Sequence, residues 1–213
     1  MEIKDLLKKD LMIMDLKAST KMEAIDEMVA KLKEKNIISD EAAFKNLILK
    51  REEKSSTGLG EGVAMPHAKT SVVNTPAVLF ARSNKGINYD ALDGEPVYIF
   101  FMIATSEDAH DLHIDTLAKL SKMLLNDDFT QGLKTCGTPD EVYTLIDKYS
   151  EKSQEAIKKE AKEVQNTNKK KILAVTACPT GIAHTYMAEA VLKEAGEKLG
   201  VDVKVETNGA DGI

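Results

Sequence analysis

No apolar run in this chain approaches the roughly 18–20 residues that cross a bilayer, so no membrane-spanning helix is expected. Basic charge is also in deficit: 29 Lys and Arg stand against 35 Asp and Glu, for a formal net charge of -6. Without a basic stripe to release counterions, a nucleic-acid partner is disfavoured. Cysteine is scarce. The two present, Cys136 and Cys178, lie far apart and form neither a disulfide framework nor a metal-ligand pair, which suits a reducing cytoplasm. The start, Met1-Glu2-Ile3-Lys4-Asp5, is acidic and amphipathic and does not read as a secretory leader. Trp is absent and aromatics make up 5%, while 30% of residues are charged, an ordinary soluble profile. At 213 residues the chain can hold one good core and a smaller unit.

Periodicity orders the first part. Leu11 to Leu16 reads as a strand. Thr20 and Glu23 have the spacing of a capping box, ahead of Ile25, Met28, Val29 and Leu32 at helical period. Ser39 is a candidate cap for a second helix, with Ala43, Phe44, Leu47 and Ile48 as its buried stripe and its end near Arg51. Ala77 to Ala81 and Val97 to Ala104 read as strands, the second approached through Gly94 and Pro96. A helix is expected from about Asp108 to Asn126, with Leu112, Leu117, Leu120, Met123 and Leu124 inside. Thr138, Pro139 and Glu141 mark another helix start. Strands and helices mixed in this order indicate an α/β domain that ends near Tyr149. Ser150 to Lys171 turns polar, with a solvated helix and then a flexible joint at Asn166 to Lys170 as the expectation. Ile172 to Val175, Ala183 to Leu199 and Val201 to Val205 then read as strand, helix and strand, the opening of a parallel sheet. Two strands and one helix cannot cover both faces of such a sheet, so this second unit is expected to be incomplete.

Two loops carry candidate nucleophiles. The first is Gly58-Leu59-Gly60-Glu61-Gly62-Val63-Ala64-Met65-Pro66-His67-Ala68. A neutral imidazole nitrogen is a good phosphoryl acceptor near pH 7, and glycines let backbone amides approach the incoming group. Taken alone, the same loop serves a turn as readily as a site. Arg51 is ordinarily a charge compensating a helix C-terminus, yet its guanidinium suits a loose phosphoryl transition state. His110 reads as a solvated residue at a helix start, and His113 is open between a structural and a functional role.

The second loop is Val175-Thr176-Ala177-Cys178-Pro179-Thr180-Gly181-Ile182-Ala183-His184-Thr185. A free cysteine at a strand end is most often buried and inert. Here the position before Pro-Thr-Gly and a helix start favours a thiolate and a bound anion, stabilised by amides and the helix dipole. Cys136 is assigned no role.

Glu52, Leu59-Gly60 and Val63-Ala64-Met65-Pro66-His67-Ala68 together resemble the signature of the fructose/mannitol-type enzyme IIA of the bacterial phosphoenolpyruvate-dependent sugar phosphotransferase system, over about Met1 to Tyr149. The resemblance implies that His67 accepts a phosphoryl group from the phosphocarrier protein HPr. Position by position, it also implies that Arg51 and His113 stabilise that group. Cys178-Pro179-Thr180-Gly181-Ile182-Ala183-His184-Thr185 resembles the phosphate loop of fructose-type enzyme IIB, from about Lys170 to Ile213, and implies a phosphocysteine at Cys178.

The implied organisation is α/β throughout: a mixed-sheet enzyme IIA domain flanked by helices at 1–149, a polar linker at 150–169, and the start of a parallel βαβ enzyme IIB unit at 170–213. The implied function is a phosphotransferase relay from HPr to His67, then Cys178, then a sugar, with fructose as the default. The last step would take place on a membrane-embedded enzyme IIC transport domain, which would hold this cytoplasmic chain at the inner face of the membrane. No metal or cofactor is expected, because amides and cations carry the charge stabilisation. The alternatives are a nitrogen-type enzyme IIA acting as a phosphorylation sensor, and a tyrosine phosphatase. The sensor has no use for a second acceptor. The phosphatase needs an Arg six places after its cysteine, where this chain has His184.

Overall fold

A computed structural model describes residues 3–150, 171–177 and 182–208. The elements begin with α1 (Ile3–Leu6), β1 (Leu7–Ile13), α2 (Lys21–Glu34) and α3 (Glu41–Lys54). Three short strands follow, β2 (Gly58–Gly60), β3 (Val63–Ala64) and β4 (His67–Lys69), then the long β5 (Ala77–Ile87) and β6 (Val97–Thr105). Next come α4 (His110–Leu124), α5 (Asp127–Thr135) and α6, which runs from 139 to 150. β7 (Lys171–Ala177), α7 (Ile182–Leu199) and β8 (Asp202–Asn208) complete the described residues.

The spine is β6, whose sequence VYIFFMIAT is buried at almost every position. A strand apolar on both faces needs cover on both sides, and it has it. β6 pairs antiparallel with β5, and β5 pairs parallel with β1. On its other edge β6 accepts β3 and then β4, both parallel, and β3 pairs antiparallel with β2. The result is the mixed sheet that the sequence led us to expect. Because side chains alternate along a strand, Val78, Phe80, Ile99, Phe101 and Ile103 join the core of α1, α4, α5 and α6. Leu79, Ala81, Phe100, Met102 and Ala104 join the core of α2 and α3 on the opposite face.

Several expectations shift in detail. The first strand is Leu7–Ile13 rather than Leu11 to Leu16. The capping box at Thr20 and Glu23 is present in both directions. The cap of α3 is Asp40, which accepts from Ala43 N at 2.9 Å, while the Ser39 hydroxyl donates to Val72 O at 3.1 Å. Leu47 is 36% exposed, so the inward stripe of α3 is Phe44, Ile48 and Glu52, four residues apart. A carboxylate on an apolar stripe needs partners, and these are described below. α3 also runs past Arg51 to Lys54. Thr138 and Glu141 cap α6 as expected: Thr138 Oγ1 accepts from Glu141 N at 3.3 Å, and Glu141 Oε2 accepts from Gly137 N at 2.7 Å.

β7 and β8 pair parallel without a shift, from Lys171 opposite Asp202 to Ala177 opposite Asn208, and α7 joins them. α7 also packs against α4. Of the polar linker expected at 150–169, and the flexible joint expected at Asn166 to Lys170, only Ser150 lies among the described residues. Among the described residues, no helix is long and apolar enough to cross a membrane.

Candidate functional site

The site is built on the turn that follows α3. Glu52 is buried, and both its oxygens are occupied. Oε2 accepts from Thr57 N at 3.1 Å and lies 3.0 Å from Lys21 Nζ. Oε1 accepts from the Thr57 hydroxyl and from Tyr89 OH, the latter at 3.2 Å. Lys21 also stands over the Tyr89 ring, 4.7 Å from its centroid. Burying a charge is costly unless it is paired and hydrogen-bonded, and this one is both. Burial, reinforced by the negative charge of Glu52, pushes the Tyr89 phenol well above its ordinary range. One residue earlier, Arg51 Nη1 donates to Ser55 O at 3.0 Å. The two neighbours Arg51 and Glu52 thus hold the same short turn at its two ends.

From that turn the chain enters β2 and reverses. Gly60, Glu61 and Gly62 have φ of +100°, +53° and +78°, a left-handed run that favours glycine at its outer positions. Asp93 secures the reversal by accepting from Glu61 N at 2.9 Å, and also accepts from Glu95 N at 3.0 Å. Those backbone donors hold its carboxyl below the usual carboxylate range. Gly58 is required by close approach: a Cβ there would stand 2.8 Å from Ala91 Cα. Met65 N then donates back to Thr57 O at 2.9 Å, so the loop closes on the residue that Glu52 holds.

His67 opens β4 instead of sitting in an irregular loop. It pairs with Ile103 of β6, and Ile103 N donates to Pro66 O at 2.9 Å. Its Nδ1 lies 2.8 Å from Met65 O. A carbonyl only accepts, so Nδ1 carries the proton and the neutral ring has its lone pair on Nε2. The ring of His113 stands 5.5 Å away, centroid to centroid, at an interplanar angle of 54°. His113 is buried in the first turn of α4, with Nδ1 2.7 Å from the Thr105 hydroxyl at the end of β6. α4 begins with Ala109 at its cap position and no side-chain cap, which leaves the N-terminal dipole uncompensated by a cap oxygen.

The structure therefore brings His67 and His113 together, and α3, which carries Arg51, packs beside β4. The side chain of His110 lies outside the described residues. So do Cys178, Pro179, Thr180 and Gly181, and the side chains of Ile182, Ala183 and His184. Thr185 is described: it is buried in α7, and its carbonyl accepts from the Thr176 hydroxyl at 3.3 Å. Sequence reasoning gave no part to Lys21, Thr57, Tyr89 or Thr105. Thr105 follows an apolar run and precedes a histidine by eight residues, a signal too common to single it out. Cys136 is buried, and its thiol is raised above its ordinary range first by that burial and then by the charge of Glu141.

Comparisons with known proteins agree with this architecture. Residues 5–149 match the family model described as phosphoenolpyruvate-dependent sugar phosphotransferase system, EIIA 2. Residues 173–213 match that described as PTS system, lactose/cellobiose specific IIB subunit. The chain is 43% identical over 213 residues to a PTS system fructose-specific EIIABC component of Bacillus subtilis, covering 100% of this chain and 34% of that protein. It thus spans about a third of that relative's length. A nitrogen regulatory protein of Bradyrhizobium diazoefficiens is 30% identical over 146 residues, 68% of this chain and 95% of that protein. Among solved structures, the nitrogen regulatory protein IIA-Ntr of Neisseria meningitidis superposes with a TM-score of 0.63 at 27% identity, covering 67% of this chain and 97% of that one.

Proposed function

Because this chain belongs to the EIIA 2 family of the phosphoenolpyruvate-dependent sugar phosphotransferase system, a family of phosphotransferase components, we propose that it relays a phosphoryl group from HPr to His67 and on to Cys178. The observation that carries the reading is the His67 ring, locked by Met65 O as the Nδ1–H form and set against His113. Nε2 of His67 is then the attacking atom. The P–N bond to the donor imidazole breaks as the bond to Nε2 forms, and no proton needs to move. Positive charge grows on the His67 ring as it bonds phosphorus, which strengthens the Nδ1–H bond to Met65 O at the moment it matters. The transferring group is spread over three oxygens, and catalysis rests on donors and cations placed around them. Arg51, His113 and the N-terminal end of α4 fill that role.

In this reading the enzyme IIA unit is 1–149, the linker 150–169 and the enzyme IIB unit from 170. Cys178 is the second acceptor, in the phosphate loop that runs to His184 and Thr185. The packing of α7, which follows that loop, against α4, which carries His113, supports transfer within one chain. The sugar is fructose, a choice supported by the identity to the fructose-specific relative, and it receives the group on an enzyme IIC domain at the inner face of the membrane. A nitrogen-type regulatory reading has support from the similarity to nitrogen regulatory proteins. The match of 173–213 to an enzyme IIB family favours the relay.

The test is labelling from phosphoenolpyruvate through enzyme I and HPr. His67 takes an acid-labile, base-stable label, and His67→Ala removes all label, including that on Cys178. Cys178 labelled in the His67→Ala chain would remove the relay order.

A further inference from the structure

The hydroxyl of Thr105 lies 2.7 Å from Nδ1 of His113, and both residues are buried. Among the described residues, that nitrogen is the hydroxyl's one hydrogen-bond partner. A buried hydroxyl hydrogen needs an acceptor. If the neutral His113 ring carried its proton on Nδ1, the hydroxyl would accept that bond and its own hydrogen would be buried with nothing among the described residues to receive it. If Nδ1 carries the lone pair, the hydroxyl donates to it, and the proton of the ring sits on Nε2.

The backbone of Thr105 is fixed in place. Its carbonyl accepts from Thr70 N at 3.0 Å, and it pairs with Lys69 in the β4–β6 ladder. That ladder is the one in which His67 pairs with Ile103. Two steps of a single ladder therefore place the acceptor histidine and the hydroxyl that addresses its neighbour.

We propose that Thr105 is a positioning residue that holds His113 in its Nε2–H form, so that a hydrogen-bond donor stands beside the phosphoryl group carried by His67. The inference rests on the reading of His67 as the acceptor. A donor is the useful form here, because an Nε2 lone pair would repel the phosphoryl oxygens that an N–H attracts. It also gives the two rings complementary forms: His67 with its lone pair on Nε2 to bond phosphorus, and His113 with its proton on Nε2 to bond oxygen.

Heteronuclear NMR of the imidazole nitrogens in the full chain reads the tautomer directly and needs no variant. Wild type shows His113 as Nε2–H. Thr105→Val, close in volume and suited to a strand, removes the hydroxyl; His113 then loses its preference for that form. Transfer from phospho-HPr to His67 slows about tenfold in kcat, with KM for HPr unchanged, the rate equivalent of one neutral hydrogen bond. Thr105→Ser restores both tautomer and rate. Wild-type His113 found as Nδ1–H, or a Thr105→Val chain that keeps wild-type tautomer and rate, overturns the proposal. Label that persists in His67→Ala overturns the acceptor reading itself, whatever tautomer His113 shows.

Discussion

Glu52 accepts the backbone N–H of Thr57 at 3.1 Å and thereby closes the turn at the end of the helix that carries Arg51. The carbonyl of the same Thr57 receives Met65 N, and Met65 O receives His67 Nδ1. A single buried carboxylate is therefore linked by consecutive hydrogen bonds to the tautomer of His67.

Glu52→Ala leaves the Thr57 amide, two hydroxyls and Lys21 short of an acceptor. Loss of one partner from a buried network of this kind costs about 3 kcal/mol. Urea unfolding should show that loss, with Glu52→Gln intermediate because its amide oxygen still accepts from Thr57 N. Equal stability of all three chains would mean that the network contributes nothing net.

Arg51→Ala should slow phosphorylation of His67 by about 100-fold, the usual cost of removing a positioned donor from a charge-stabilising site. Arg51→Lys keeps the charge and loses the fork, so it should recover only part of the rate. Lys50, exposed on the same helix, is the control, and its alanine variant should transfer at the wild-type rate. Rapid-quench labelling with phospho-HPr measures all three.

Cys178→Ser should stop the phosphoryl group at His67, because a hydroxyl ionises far less readily than a thiol in the same surroundings. Phosphopeptide mapping should find label on His67 alone. In that variant Cys136 is the one remaining thiol. Its pKa is raised by burial and by Glu141, so at mildly alkaline pH it holds less thiolate than a free cysteine and should alkylate slowly. Rapid alkylation of Cys136 in folded protein would contradict that burial.

Tyr89 gives a pH prediction. Its folded pKa is raised well above 10.0, first by burial and then by Glu52. The contribution to stability is complete below about pH 10, where the unfolded phenol is still protonated. It is lost as pH rises above that value, because the unfolded state releases the proton first. The phenolate absorbance of Tyr89 should therefore appear only with alkaline unfolding. Tyr89→Phe should flatten that part of the stability–pH curve.

Long apolar runs and the caps at Thr20 and Thr138 were the legible part of the sequence, whereas Ser39 yields its place as cap to its neighbour Asp40. Val97–Thr105 and the Thr20–Glu23 box act through local rules of burial and capping, and both elements appear where those rules place them. β4 was not legible, because three residues, His-Ala-Lys, carry no periodicity; they become a strand only because β6 offers an edge. Glu52 lies in the family motif, yet nothing local distinguishes it from Glu53. Burial separates the two, and burial follows from the helix phase set by Phe44 and Ile48. The Thr105–His113 contact joins a strand end to the first turn of the following helix, a meeting fixed by tertiary packing alone.

The alternation of β5 and β6 divides the interior into two cores that meet only through the sheet. Arg51 stands on a helix of one core, His113 on a helix of the other, and His67 on the strand between. Loosening either layer by local unfolding separates one member of the trio while the remaining layer can stay native. On the proposed relay, phosphoryl acceptance would be a logical AND of two packing events. In hydrogen exchange, amides of α3 and of α4 should each open with free energies that set an upper limit on the fraction of chains competent to take the group.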